Sequence, residues 1–164
     1  MKALAVGIFC LVSMVPVSRA ETVKVVHDDG ALELAGGSLV TLAGLEFPEE
    51  SRRLFPVLLA GKDVEVQPDS APAPAGVPAP VYLYVNTSEI DMPFPQGLVP
   101  HEQKVMVNEL FLALGAARVS PEKVFDQRES FLRIEAAART RGEGIWSYEE
   151  NFDAAPEAAA PPVS

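Results

Sequence analysis

Cysteine is all but missing from this chain, Cys10 being the only one in 164 residues. A disulfide framework, a cysteine zinc site and a Cys-x-x-Cys redox pair are thereby excluded. Histidine is nearly as scarce: His27 and His101 stand alone, in no spacing that fits a metal site or a nucleophilic triad, and no G-x-S-x-G elbow is present. Basic side chains are outnumbered, 13 against 23 acidic, for a net charge of −10. Within residues 54–117 the only ones are Lys62 and Lys104, with no arginine. Proteins that hold nucleic acid draw much of their affinity from Lys and Arg displacing counterions at phosphates, so this chain repels a polyanion on average.

Long apolar runs are confined to the N-terminus. Met1-Lys2 is a short basic start, residues 3–15 are apolar, and Ser18-Arg19-Ala20 offers small residues where a signal peptidase reads. The pattern predicts a signal peptide over 1–20, cleaved after Ala20, and a periplasmic or secreted bacterial protein. The run is too short for a stable membrane span, and Phe9 before Cys10 is too bulky for a lipoprotein box. Cleavage removes the only cysteine together with Lys2 and Arg19, which lowers the basic count from 13 to 11 against 23 acids, a net of −12. The remainder suits one domain over 21–150. Residues 151–164 are an Ala/Pro tail too poor in large apolar side chains to repay the entropy of ordering.

Element signals run from strands to helices. Alternation over 22–26 puts Val23 and Val25 on one face, Asp29-Gly30 and Gly36-Gly37 are turn signals, and strands are predicted over 31–34 and 39–45. Residues 68–80, with five prolines interleaved with small residues, read as a stiff solvated loop. Over 81–85 Val81, Leu83 and Val85 point one way and Tyr82 and Tyr84 the other, as in a strand with one face in a core; exposed, the tyrosines would suit base stacking. Helices are predicted over 52–59, over 108–114 with Gly115 as its stop, and from Ser120-Pro121, a cap and first-turn proline, up to Gly142. Trp146 is expected to plug the junction between the last helix and the strands.

Thr41-Leu42-Ala43-Gly44-Leu45-Glu46-Phe47-Pro48-Glu49 resembles the R-L-x-G-I-D-x-P-E signature of staphylococcal-nuclease-like (thermonuclease) domains. Further pieces follow in the family's order: Val25-Val26-His27-Asp28-Asp29-Gly30 is similar to V-V-D-G-D-T, and residues 59–66 to L-x-G-K-x-V. Val107-Asn108-Glu109-Leu110 with residues 114–119 resembles V-N-x-x-L … G-L-A-x-V, and Glu135-Ala136-Ala137-Ala138-Arg139 with Gly144-Ile145-Trp146 resembles E-x-x-A-R … G-I-W. The resemblance implies an α+β fold, a five-stranded OB-fold barrel packed with about three helices. It also implies a vestigial calcium site at Asp29, Glu46 and Glu49, with Glu49 as the catalytic acid. Thr41 stands where the family has an arginine, and the second phosphate-binding arginine would fall near Pro78. Residues 86–103 read as an insertion into a tight hairpin.

Phosphodiester hydrolysis of this kind needs a metal to orient water and guanidinium groups to hold the developing charge; losing one such contact costs roughly two to three orders of magnitude in rate. With both arginines gone from their places, the reading is a catalytically inactive binding or structural module, with no cofactor beyond weakly held calcium and no nucleic-acid partner. The alternative is a divergent calcium-dependent nuclease cleaving DNA or RNA with arginines relocated to Arg52 or Arg53, whose plainer role is to solvate a helix start. A third reading is an accessory subunit that meets an envelope protein through 86–103.

Overall fold

Short runs of Val and Leu between turn residues form the strands. In the computed structural model, which describes residues 18–71, 73 and 75–147, the elements in chain order are β1 (Arg19–Val26), β2 (Leu32–Leu34), β3 (Leu39–Leu42), β4 (Leu45–Glu46), α1 (Leu54–Leu59), β5 (Asp63–Pro68), β6 (Ala79–Asn86), β7 (Lys104–Met106), α2 (Val107–Ala113), β8 (Arg118–Val119) and α3 (Arg128–Thr140). β1, β2 and β3 pair antiparallel in succession, β5 pairs antiparallel with β1 and β6, and β6 runs parallel to β3. The ring β1-β2-β3-β6-β5 is thus closed, and with the three helices the architecture is an OB-like α+β fold. β7 extends β6 at one edge, and β4 and β8 make a separate two-stranded ribbon.

Several boundaries differ from the sequence reading, each for a physical reason. Val23 is fully buried but Val25 is 37% exposed, because a register shift between them, a bulge, breaks the alternation. The strand expected over 39–45 is split by a turn in which Gly44 adopts a φ of +71°. A Cβ there would meet the Phe125 ring at 2.5 Å, so the position has no room for a side chain. Residues 49–53 form a 3₁₀ turn, and α1 begins only at Leu54. Ser120-Pro121 does not start a helix: the Ser120 N–H continues the strand by bonding Gly44 O at 2.8 Å. The Ser120 hydroxyl donates to Glu46 Oε1 at 2.6 Å, and α3 starts eight residues later, at Arg128. β1 begins before the expected cleavage point, so cleavage after Ala20 would take the Arg19↔Val66 and Ala20↔Glu65 pairs from the β1–β5 ladder and leave Glu21↔Val64 and Thr22↔Asp63. The rest of the signal segment, residues 1–17, and the tail lie outside the described residues.

The core is aliphatic inside the barrel and aromatic under the helices. Phe47, Phe55 and Phe111 form a cluster with ring centroids 4.2, 4.6 and 5.2 Å apart, which ties β4, α1 and α2 together. Asn108, completely buried at the start of α2, stands in for a strand. Where β3 ends at Leu42, its Oδ1 accepts from Leu83 N and its Nδ2 donates to Ala43 O and Val81 O, each at 3.2 Å. Trp146 is buried between the guanidinium groups of Arg118 and Arg139, 4.8 and 4.1 Å from its ring centroid. The turn that carries it is clasped to the end of α2, since Ile145 N donates to Gly115 O at 2.9 Å. A Cβ on Gly115 would fall 2.0 Å from Glu143 O.

Residues 87–103 are an excursion from the β6–β7 hairpin, closed at its base by Thr87 N donating to Gln103 O at 2.8 Å. Its apolar side chains turn inward: Leu98 is buried and Ile90 and Phe94 pack against the core, while Val99 is exposed. The proline-rich segment is narrower than a free loop. Pro68 ends β5, Ala79-Pro80 begin β6, and Asp69 is buried.

Candidate functional site

Four segments converge on one side of the barrel around a recess of about 370 Å³. The β1–β2 turn brings Asp29, β3 brings Thr41, β4 brings Glu46 with Phe47 just after it, and the 3₁₀ turn brings Arg52. Lys123 reaches the same recess from the loop between β8 and α3. The position that the motif assigns to an arginine, Thr41, does face the recess. No described residue of 68–80 lines it.

Each charged group is anchored by a backbone or side-chain contact. Asp29 Oδ1 accepts from Ala31 N at 2.9 Å, an Asx turn that shapes the β1–β2 connection. Glu46 Oε1 accepts from Ser120 Oγ. Arg52 Nη1 donates to Asp28 O and Lys123 Nζ to Leu45 O, each at 3.4 Å. Glu49, the expected catalytic acid, does not line this recess. It stands on a neighbouring one with His27, Asp28 and Arg53, and Arg52 borders both.

Calcium takes six to eight oxygen ligands from carboxylates, carbonyls and water. Of the three acids expected to converge, Asp29 and Glu46 each have one oxygen engaged, and Glu49 faces a different recess. Among the described residues no group of three or more His, Cys, Asp or Glu is placed to hold a metal ion. The donor set therefore does not fit the calcium site implied by the motif.

Arg52 lines the recess as well as standing in the 3₁₀ turn ahead of α1, one of two cations there among the described residues; Arg53 lines the neighbouring one. Lys123 was missed in the sequence because the stretch after Ser120 reads as a helix. The available signal was the ribbon: Glu46 pairs with Arg118 across β4–β8, which delivers the chain after Val119 to the Glu46 end.

Of the two tyrosines of β6, Tyr82 is not available for stacking, whereas Tyr84 is half-buried. Tyr82 is 1% exposed and meets Phe131 of α3 edge-on at 6.1 Å. Its hydroxyl donates to Asp69 Oδ1 at 2.7 Å and accepts from Gln127 N. Burial, reinforced by the Asp69 hydrogen bond, pushes its pKa well above the ordinary phenol value. Asp69 Oδ1 also accepts from Asp126 N at 3.1 Å, and Ser70 bonds the Asp126 carboxylate, so the entry of α3 is tied to the end of β5. The Ser70 hydroxyl holds the Asp126 carboxyl below its usual range.

A third recess lies against β5, β6 and β7, lined by Glu65, Tyr84, His101, Glu102, Lys104 and Glu109 among others. Lys104 pairs with Glu65, and burial raises the Glu109 carboxyl. No helix of the described residues is long and apolar enough to cross a membrane. A scan against protein-family models and a search of curated proteins found no match to the chain.

Proposed function

We propose that the protein is an exported, thermonuclease-like module that binds a small ligand in the recess between Asp29, Thr41, Glu46, Arg52 and Lys123 and does not hydrolyse phosphodiesters. The observation that supports this reading is that Glu49 lines a different recess from Asp29 and Glu46, with no group of three such acids placed to hold a metal among the described residues. The ordered run of thermonuclease-like motifs supports the family reading, and the basic, apolar and small-residue pattern at the N-terminus supports export. Net negative charge argues against a nucleic-acid polymer as the ligand.

The second reading, a divergent calcium-dependent nuclease, is favoured by one specific feature: Arg52 and Lys123 bring two cations to the recess that Thr41 faces. One assay separates them. Purified protein incubated with calcium and single-stranded DNA or RNA is expected to show no cleavage above buffer, and calorimetry is expected to give calcium affinity no tighter than roughly millimolar. Calcium-dependent digestion abolished in Glu49→Gln would establish the nuclease instead.

A further inference from the structure

Two acids and two bases line one recess without neutralising one another. Asp29, Glu46, Arg52 and Lys123 all border it, yet among the described residues none of the four makes an ion pair within 4.0 Å. They are kept apart by their anchors. The two bases are drawn to the carbonyls of Asp28 and Leu45, and the two acids hold Ala31 N and Ser120 Oγ. One oxygen of each carboxylate and further N–H groups of each base remain free for a guest. The anchors sit on three segments: the β1–β2 turn (Asp28 and Ala31), β4 (Leu45) and the residue after β8 (Ser120).

From this we infer that the ligand is a small zwitterion, a free α-amino acid, whose ammonium is met by a carboxylate and whose carboxylate is met by a base of this recess. The inference rests on the binding-module reading and names the ligand class of that recess. A simple anion there would meet two carboxylates and a simple cation two bases, each repelled about as strongly as attracted. A molecule carrying both charges satisfies both pairs. The volume of about 370 Å³ lies at the lower end of small-molecule sites, and Leu45 and Phe47 add an apolar wall for an aliphatic side chain.

Calorimetric titration of the full-length protein with individual L-amino acids tests this, alongside their N-acetyl and amide derivatives, inorganic phosphate and calcium chloride. A free amino acid is expected to bind, and both singly charged derivatives to bind about tenfold more weakly. Arg52→Ala and Glu46→Gln are each expected to weaken the free amino acid by a similar factor; the amide oxygen brought in by Glu46→Gln still accepts from the Ser120 hydroxyl, so the fold is kept. If phosphate or the N-acetyl derivative binds as well as the free amino acid, with no response to Glu46→Gln, the zwitterion is overturned while the binding-module reading stands. If none of the probes binds, both fall. If calcium-dependent cleavage appears while amino-acid binding persists, only the non-catalytic reading falls.

Discussion

Asn108 holds the barrel at its weakest place, where β3 has ended and β6 still needs partners. Asn108→Ala would leave Leu83 N–H and Ala43 C=O unpaired inside the protein, whereas Val81 O would keep the Ala43 N–H at 2.9 Å. Each buried orphan costs about 1–3 kcal/mol, so a loss of roughly 2–5 kcal/mol of stability is expected. Asn108→Asp should be worse, because it sets a buried carboxylate against two carbonyls. Urea unfolding measures both; a loss under about 0.5 kcal/mol would show that water or a shifted backbone replaces the amide. At this scale the candidate site was half legible. Asp29 falls in one motif and Thr41 and Glu46 in another, each with its frame kept, and all three reach one recess. Glu49 fails to join them because it opens the 3₁₀ turn after Pro48 and lines the neighbouring recess with His27 and Asp28. Lys123 arrives only through the tertiary position of a loop, which no local pattern encodes.

Among the elements, β6 shows most clearly what periodicity can and cannot reveal. Its alternation was readable, and Val81, Leu83 and Val85 are buried in the barrel. The opposite face is covered as well at Tyr82, because α3 lies over it, and a strand's own pattern does not say what will pack on its far side. The same holds for β1, where the bulge turns Val25 outward, and for Ser120, whose hydroxyl serves Glu46 rather than a helix. Burying Tyr82 and half-burying Tyr84 has a consequence in alkali. Both phenols are raised above 10.0, chiefly by burial, so the stability they confer is intact below pH 10 and is lost as pH climbs towards their folded-state values, since the unfolded chain gives up those protons first. Phenolate absorbance should therefore show two of the three tyrosines ionising late and in step with loss of circular dichroism. Reversible titration of all three near 10.0 with the fold intact would refute it.

On the scale of the whole molecule, the strand order interleaves the two halves of the chain. β6, which follows the proline-rich segment, lies between β3 and β5, which precede it. It shares the pairs Val40↔Ala79, Thr41↔Pro80 and Leu42↔Val81 with one neighbour, and the pairs from Val64↔Val85 to Pro68↔Val81 with the other. The peptide bond between Gly76 and Val77 therefore contributes little beyond loop-closure entropy. Residues 1–76 and 77–164, made as separate polypeptides in one cell, should assemble and elute together from a sizing column in native buffer; two separate peaks would contradict this. Sequence neighbours here are not the partners that close the ring, and the parallel β3–β6 seam works like the tongue of a buckle. The second half of the chain is threaded between two straps of the first, and it would stay fastened after the strip of chain joining them had been cut.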